Sequence, residues 1–185
     1  MCNPYVEYNN LRSYSNLGNN LNIVPLSYMV LKIRNFVDGD LPGIEDLEHK
    51  AFEVGPYNRR MLKRIFSKKG SFNVVAEEDG KIVGYAVAMP LDLFSADIES
   101  IAVDPGFHGH GIGTVIITEI ENEMVRRGYL HSILEVRDRN HEAIGFYKKN
   151  GYTVLDYLPT YYTEDFRGSR GAIRMHKFMK KKNEV

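Results

Sequence analysis

A mixed β-sheet covered by helices on both faces is the α/β fold class that this sequence predicts, and three observations predict it. Runs of period two and period 3.6 follow one another in the order β-α-α-β-β-β-α-β-α-β-β, with no internal repeat. A glycine cluster separates one of the strands from an amphipathic helix. The length of 185 residues and the hydrophobic share of 43 % suit one compact domain with a core of ordinary size.

The elements are read in chain order. Residues 1–28 carry seven asparagines between Asn3 and Asn22 and no sustained period, so an accessory arm is expected there. Val30 to Arg34 suits a strand. Asp40 is placed to cap a helix with Pro42 in its first turn and with Ile44, Leu47 and Phe52 at helical spacing. A second, short helix runs from about Asn58, with Met61, Leu62, Ile65 and Phe66 on one face, and ends before Gly70. Phe72 to Ala76 and Lys81 to Ala88 are strand-like runs joined through Asp79-Gly80, a strong hairpin signal. Asp97 to Val103 is a further strand. After the glycine cluster comes a helix bearing Ile112, Val115, Ile116, Ile120 and Met124, which stops at Gly128. Ser132 to Arg137 is a strand, Asn140 opens a helix that ends at Gly151, and strands at about Tyr152 to Leu158 and Ala172 to Phe178 close the pattern.

Composition narrows the function. Lys plus Arg and Asp plus Glu number 24 each, so there is no global attraction to nucleic acid or to an anionic membrane. Any bound anion must be held by local geometry. The only cysteine is Cys2, which excludes an intramolecular disulfide and argues against a cysteine nucleophile. No apolar run approaches the ~20 residues of a bilayer span, and no signal peptide is recognised, so a cytoplasmic protein is expected. The run Lys180-Lys181-Lys182 reads as part of a solvated tail.

The most informative segment is Phe107-His108-Gly109-His110-Gly111-Ile112-Gly113-Thr114. Glycines let the backbone approach a ligand closely, and the first turn of a helix offers unpaired N–H groups at the positive end of its dipole. This is an anion cradle built from main chain. It is not a Walker loop, because no lysine follows the last glycine, and Thr114 stands where a dinucleotide fingerprint needs glycine. A tight strand-to-helix turn without a ligand is the bland alternative. His108 and His110 could share a metal, but no third ligand is near in sequence, and no metal is expected.

Ile101-Ala102-Val103-Asp104-Pro105 followed by this loop resembles the acetyl-CoA-binding motif of GCN5-related N-acetyltransferases (GNAT), whose loop reads (Arg/Gln)-x-x-Gly-x-(Gly/Ala). His108 holds the Arg/Gln place, and Gly111 and Gly113 match. A second block, Leu134-Glu135-Val136-Arg137, then Asn140-x-x-Ala143-Ile144-x-x-Tyr147-x-x-x-Gly151-Tyr152, is similar to the closing half of the same family. It looks closest to the branch that acetylates protein N-termini, including ribosomal-protein and archaeal N-terminal acetyltransferases. The resemblance implies the GNAT fold: a mixed, mostly antiparallel, six- to seven-stranded sheet flanked by about four helices. It spans residues 29–180, with the arm before it and a tail at 181–185.

It also implies roles. Ile101, Ala102 and Val103 would pair with the pantetheine arm of acetyl-CoA. His108, Gly109, His110, Gly111, Ile112, Gly113 and Thr114 would hold the pyrophosphate, with Asn140 and Tyr147 beside the cofactor. A histidine at 108 makes side-chain charge depend on pH, so tighter cofactor binding below about pH 6.5 is expected. Tyr147 is the family's usual proton donor; a phenol near ~10 is a weaker acid than a thiol near ~8.5, so an electrostatic role suits it. Glu135 is the first choice of general base, since it alternates with Leu134 and Val136 and faces away from them. Asp97 is the second, by position. The acceptor would lie between Phe52, Glu53, Pro56 and Tyr57 on one loop and Tyr161 and Tyr162 on another, within 159–171.

Direct sequential transfer to the N-terminal α-amino group of a protein or peptide, ribosomal or nascent proteins included, is the expected activity, by a monomer or a homodimer. Acetylation of lysine or of a small-molecule amine is the alternative, and a non-catalytic CoA-binding module is the third reading. An α-amino group near ~7.8 is easier to deprotonate than lysine near ~10.4, by roughly 3.5 kcal/mol. That favours the N-terminal acceptor.

Overall fold

The computed structural model describes residues 6–10 and 29–179. Eight strands form one sheet: β1 (Val6–Asn10), β2 (Met29–Arg34), β3 (Phe72–Glu78), β4 (Lys81–Pro90), β5 (Ser95–Val103), β6 (His131–Arg137), β7 (Thr153–Leu158) and β8 (Ala172–Phe178). The helices are α1 (Leu41–Ala51), α2 (Arg59–Phe66), α3 (Ile112–Arg126) and α4 (His141–Lys149). Strand order is β1-β2-β3-β4-β5-β6-β8-β7. Every neighbouring pair is antiparallel except β5 and β6.

Seven strands and four helices match the order read from the sequence, within a few residues at their ends. The eighth strand comes from the arm, where Val6 lies opposite Ile33 and Asn10 opposite Met29. Five residues rich in asparagine carry no strand signal of their own; the open edge of β2 supplies it. The rest of the arm, residue 180 and the tail at 181–185 lie outside the described residues.

Local chemistry accounts for most boundaries. Asp79 and Gly80 both take positive φ, 47° and 77°, as the two-residue hairpin turn requires. The Asn58 side chain accepts the Met61 N–H at 3.0 Å, and Asn140 accepts that of Ala143 at 3.1 Å, each capping its helix. Asp40 behaves differently from the cap expected of it. It lies in a 3-10 turn before α1, where its carboxylate takes two bonds from Arg34, at 2.7 and 2.8 Å, and one from the Val37 N–H at 2.8 Å. Arg34 and the Val37 N–H occupy its oxygens, so none caps the first turn of α1.

The sheet divides two cores. Ile112, Ile116, Ile117, Ile120 and Met124 of α3, with Ile144 and Tyr147 of α4, pack on Val74, Ala86, Leu134 and Val136. On the other face, Ile44 and Leu47 of α1 and Leu62 and Ile65 of α2 pack on Val75, Tyr85, Val87 and Ala102. Central β4 therefore reads as an apolar run, because both of its faces are covered. Gly84 in β4 lets α3 sit close: a Cβ there would stand 2.5 Å from Ile116 Cδ1 and 3.0 Å from the Ala102 carbonyl oxygen. Gly84→Ala should accordingly cost about 1–3 kcal/mol in a urea denaturation series, and a variant as stable as the parent would show that α3 can move away freely.

Candidate active site

The site is organised by a fork. β5 and β6 pair in parallel only through Ser95–Asp97 and His131–Ile133. Beyond that point β5 runs on to Val103 with β4 on its other side, and β6 runs on to Arg137 with β8 on its other side. The facing edges are left open to each other. Glu99 is the extra residue of a bulge, since Ile98 lies opposite Ala88 and Ser100 opposite Val87. A bulge adds local twist, and this one stands where the strands part.

Two helices start at the ends of the fork, α3 after β5 and α4 after β6. Between β5 and α3, Asp104 accepts the Gly106 N–H at 2.9 Å and a bond from Lys50 Nζ at 3.1 Å. Burial alone would raise the Asp104 carboxyl; these bonds outweigh it and hold it below the usual carboxylate range. Gly109 and Gly111 take φ of +80° and +81°, and a Cβ on either would meet nothing within 4 Å. The loop therefore turns sharply with its flank open to solvent. The first helical amide bond is from Val115 to Gly111, so the N–H groups of Ile112, Gly113 and Thr114 precede the hydrogen-bonded turns. Main-chain donors beside open space suit a pyrophosphate, and the open edge at Ile101, Ala102 and Val103 suits an extended amide-bearing arm. The Phe146 ring comes within 3.2 Å of where a Gly113 Cβ would be, which ties α4 to the cradle. His108 turns its Nε2 to the Val103 carbonyl oxygen at 3.2 Å and its Nδ1 towards Glu142 at 3.9 Å; His110 Nδ1 lies 3.1 Å from the His108 carbonyl oxygen. Among the described residues no group of three or more His, Cys, Asp or Glu side chains converges on a metal position.

In the fork itself stand three carboxylates. Burial, then the charges of Glu135 and Glu99, push the Asp97 carboxyl up to about 7. Its Oδ1 is buried with no partner among the described residues. Glu135 faces away from Leu134 and Val136, as alternation requires, and both its oxygens are engaged. Arg174 Nε donates to Oε1 at 2.5 Å and the Tyr161 hydroxyl to Oε2 at 3.2 Å. Glu99 accepts from the Tyr57 hydroxyl at 3.2 Å. Tyr147 is 8 % exposed and lies edge-on to Phe146 and Tyr152. Burial, with Tyr162 adding to it, raises its phenol above the ordinary value, so it holds its proton and can donate a hydrogen bond. Asn140 spends its side-chain oxygen on the cap of α4 and so contributes first by orienting that helix.

The two loops singled out for the acceptor meet across the mouth of the fork. Glu53 lies 3.7 Å from Arg167, and the Gly55 backbone approaches Glu164. Tyr161 and Tyr162 are edge-on, with centroids 5.0 Å apart, and Arg137 stacks over Tyr162 at 4.1 Å while donating to the Glu164 carbonyl oxygen. Burial pushes the Tyr162 phenol up to about 12 despite that guanidinium. Phe52 and Tyr57 pack against the α1/α2 core, and Pro56 is half-buried between them. Sequence reasoning missed Arg174 as the partner of Glu135 and gave Arg137 no role. Only the β6/β8 register, which sets Glu135 opposite Arg174, reveals the first.

Residues 41–152 match the acetyltransferase (GNAT) family, and the chain belongs to it. Acetyl transfer is the chemistry of that class, and acetyl-CoA is its donor. The chain is 35 % identical over 135 residues to an uncharacterised N-acetyltransferase of Methanocaldococcus jannaschii, covering 71 % of this chain and 84 % of that protein. It is 29 % identical over 125 residues to the ribosomal protein bS18-alanine N-acetyltransferase of Escherichia coli, covering 66 % and 81 %. The crystal structure of the ribosomal-protein-S18-alanine N-acetyltransferase from Escherichia coli is similar at a TM-score of 0.73 and 25 % identity over 83 % of this chain and 97 % of that one. Ard1 from Thermoplasma volcanium is similar at a TM-score of 0.72 and 26 % identity, over 82 % and 99 %.

Asp97 has a measurable consequence for stability. Its folded pKa lies above the unfolded value, so the unfolded chain binds fewer protons between the two, and stability falls as pH rises from about 4 through about 7. Asp97→Asn should be the more stable protein at pH 8, by at most about 4 kcal/mol, with the gain gone near pH 4. Thermal melts of both proteins across that range check the sign; a parent that gains stability over the variant towards pH 8 would contradict it.

Proposed function

We propose that this chain transfers the acetyl group of acetyl-CoA directly to the N-terminal α-amino group of a protein. The observation that carries the reading is the placement of Asp97 at the crotch of the fork. There a buried carboxyl titrates near the ~7.8 of an α-amino group and far below the ~10.4 of lysine. The Escherichia coli enzyme whose name specifies ribosomal protein alanine, similar both in sequence and in structure, supports the same acceptor class.

Acetyl-CoA, when bound, supplies the thioester: the amine nitrogen bonds to its acetyl carbon as the C–S bond breaks. Everything else falls to the chain. The open edge at Ile101–Val103 aligns the pantetheine arm, and the amides from Gly109 to Thr114, with His108 beside them, hold the pyrophosphate. Asp97 takes the amine proton through a water relay. Glu135, bonded by Arg174, orients Tyr161 rather than serving as the primary base. Tyr147 donates a hydrogen bond to the sulfur as charge develops there. Phe52, Glu53, Pro56 and Tyr57 on one side and Tyr161 and Tyr162 on the other flank the acceptor's first residues. Among the described residues no cysteine is present to carry an acetyl group, which suits direct transfer.

Mass spectrometry of a peptide library tests the acceptor. Peptides with free α-amines should gain one acetyl group, and those with blocked α-amines but internal lysines should not. Modification confined to lysine, or to small amines added in parallel, would replace this reading with the alternative.

The pH profile tests the base. Turnover per acceptor concentration, kcat/KM, should rise with pH through about 7 to a plateau, because Asp97 must be ionised to accept a proton. Asp97→Asn should lower it by about 100-fold and flatten that limb. A limb near 7 that survives in the variant, apart from the acceptor amine's own near ~7.8, assigns the base elsewhere.

A further inference from the structure

Helix α1 carries a buried carboxylate that the proposed chemistry does not use. Glu48 is 1 % exposed. Burial raises its carboxyl above the ordinary value. A carboxylate in such a place is costly unless its oxygens are bonded, and both are. The Tyr85 hydroxyl donates to Oε1 at 2.6 Å, and the Tyr57 backbone N–H donates to Oε2 at 2.7 Å. Tyr85 lies in turn 2.9 Å from Ser100 Oγ on β5, and the Tyr57 hydroxyl reaches Glu99 on the bulge. One side chain thus joins α1, β4, β5 and the loop between α1 and α2. An apolar residue would fill the space with less desolvation, so the bonds are what a carboxylate adds at this position.

We infer that Glu48 is a positioning residue for the acceptor: by gripping the Tyr57 amide it sets where the 52–57 loop and the Tyr57 ring stand in the fork. The inference rests on the reading that the acceptor lies between the two loops. Glu48 touches neither acceptor nor cofactor; it acts through Tyr57. The Phe52 N–H bonds the Glu48 carbonyl oxygen at 2.9 Å and Asn58 caps α2; between them, where Gly55 takes φ +69°, the Glu48 carboxylate holds the Tyr57 amide.

Glu48→Met keeps the volume and removes both acceptors; Glu48→Gln keeps an oxygen for the Tyr57 N–H, while the Tyr85 hydroxyl can turn to accept from the new amide. In the full chain, Glu48→Met should raise the acceptor-peptide KM about tenfold or more and leave the acetyl-CoA KM within about twofold. Glu48→Gln should restore the acceptor KM to within about threefold of the parent. Amide hydrogen exchange in a fragment spanning 52–58 should quicken about tenfold in Glu48→Met and little in Glu48→Gln. If Glu48→Met does not fold, Tyr85→Phe, which strips one donor from Glu48, should show the same split at about threefold.

Equal rises in both KM values, or an unchanged acceptor KM with faster unfolding alone, would reduce Glu48 to a merely structural residue and overturn the inference. Exchange does not depend on turnover. If the parent acetylates no peptide yet exchange responds as stated, the acceptor reading fails while the anchoring of Tyr57 by Glu48 stands. If peptides are acetylated and exchange is unmoved, the anchor is what fails.

Discussion

Two parallel strands that pair for three residues and then part impose the central constraint on this molecule. Main-chain N–H and C=O groups inside a sheet need partners, and between β5 and β6 they lose each other beyond Asp97 and Ile133. Such edges, open in the middle of a sheet, form a slot that offers main-chain partners to a segment itself extended and rich in amides. The other features gather around that slot because the chain must pass its ends. α3 starts where β5 stops, α4 starts where β6 stops, and each brings a helix N-terminus to the same side. Gly84 and Gly113 are the small residues that let α3 approach β4 and let Phe146 of α4 approach the cradle.

The same opening explains the electrostatics. Asp97, Glu99 and Glu135 would repel one another in an ordinary sheet interior, and the fold divides them by partner rather than by distance. Arg174 and Tyr161 engage Glu135, Tyr57 engages Glu99, and Asp97 Oδ1 is left without a bond among the described residues. Burial and the charges of Glu135 and Glu99 then fall on the unbonded Asp97 and push its carboxyl up to about 7. Tyrosine is the recurring neighbour because a phenol supplies a donor without adding charge. Tyr57, Tyr161 and Tyr162 therefore line the slot at little electrostatic cost, and burial keeps each of them protonated.

Much of this was legible in the chain. The hairpin at Asp79-Gly80, the Asn58 and Asn140 caps and the apolar stripes of α1 to α4 are local signals, settled within a turn or a pair of strands. The alternation of Leu134, Glu135 and Val136 put the glutamate on the face away from α3 and α4, where the structure has it. Asp40 is an instructive miss, since its cap chemistry was overridden by Arg34, six residues away in sequence but directly opposite in space. β1 was invisible because its pairing belongs to the exposed edge of β2 and not to its own five residues.

What the sequence by itself determined is seven of the eight strands, the four helices, their order, and the main-chain chemistry of the glycine loop, all of which depend on residues a few positions apart. Tertiary structure alone decided where β5 and β6 diverge, that Arg174 faces Glu135 across the β6/β8 register, that Glu48 reaches Tyr57 and Tyr85, and which carboxylate goes without a partner. The reason is physical. A hydrogen-bond partner or a loss of solvent is a property of positions in space, and residues such as Glu135 and Arg174, 39 apart in the chain, acquire it only when the sheet closes.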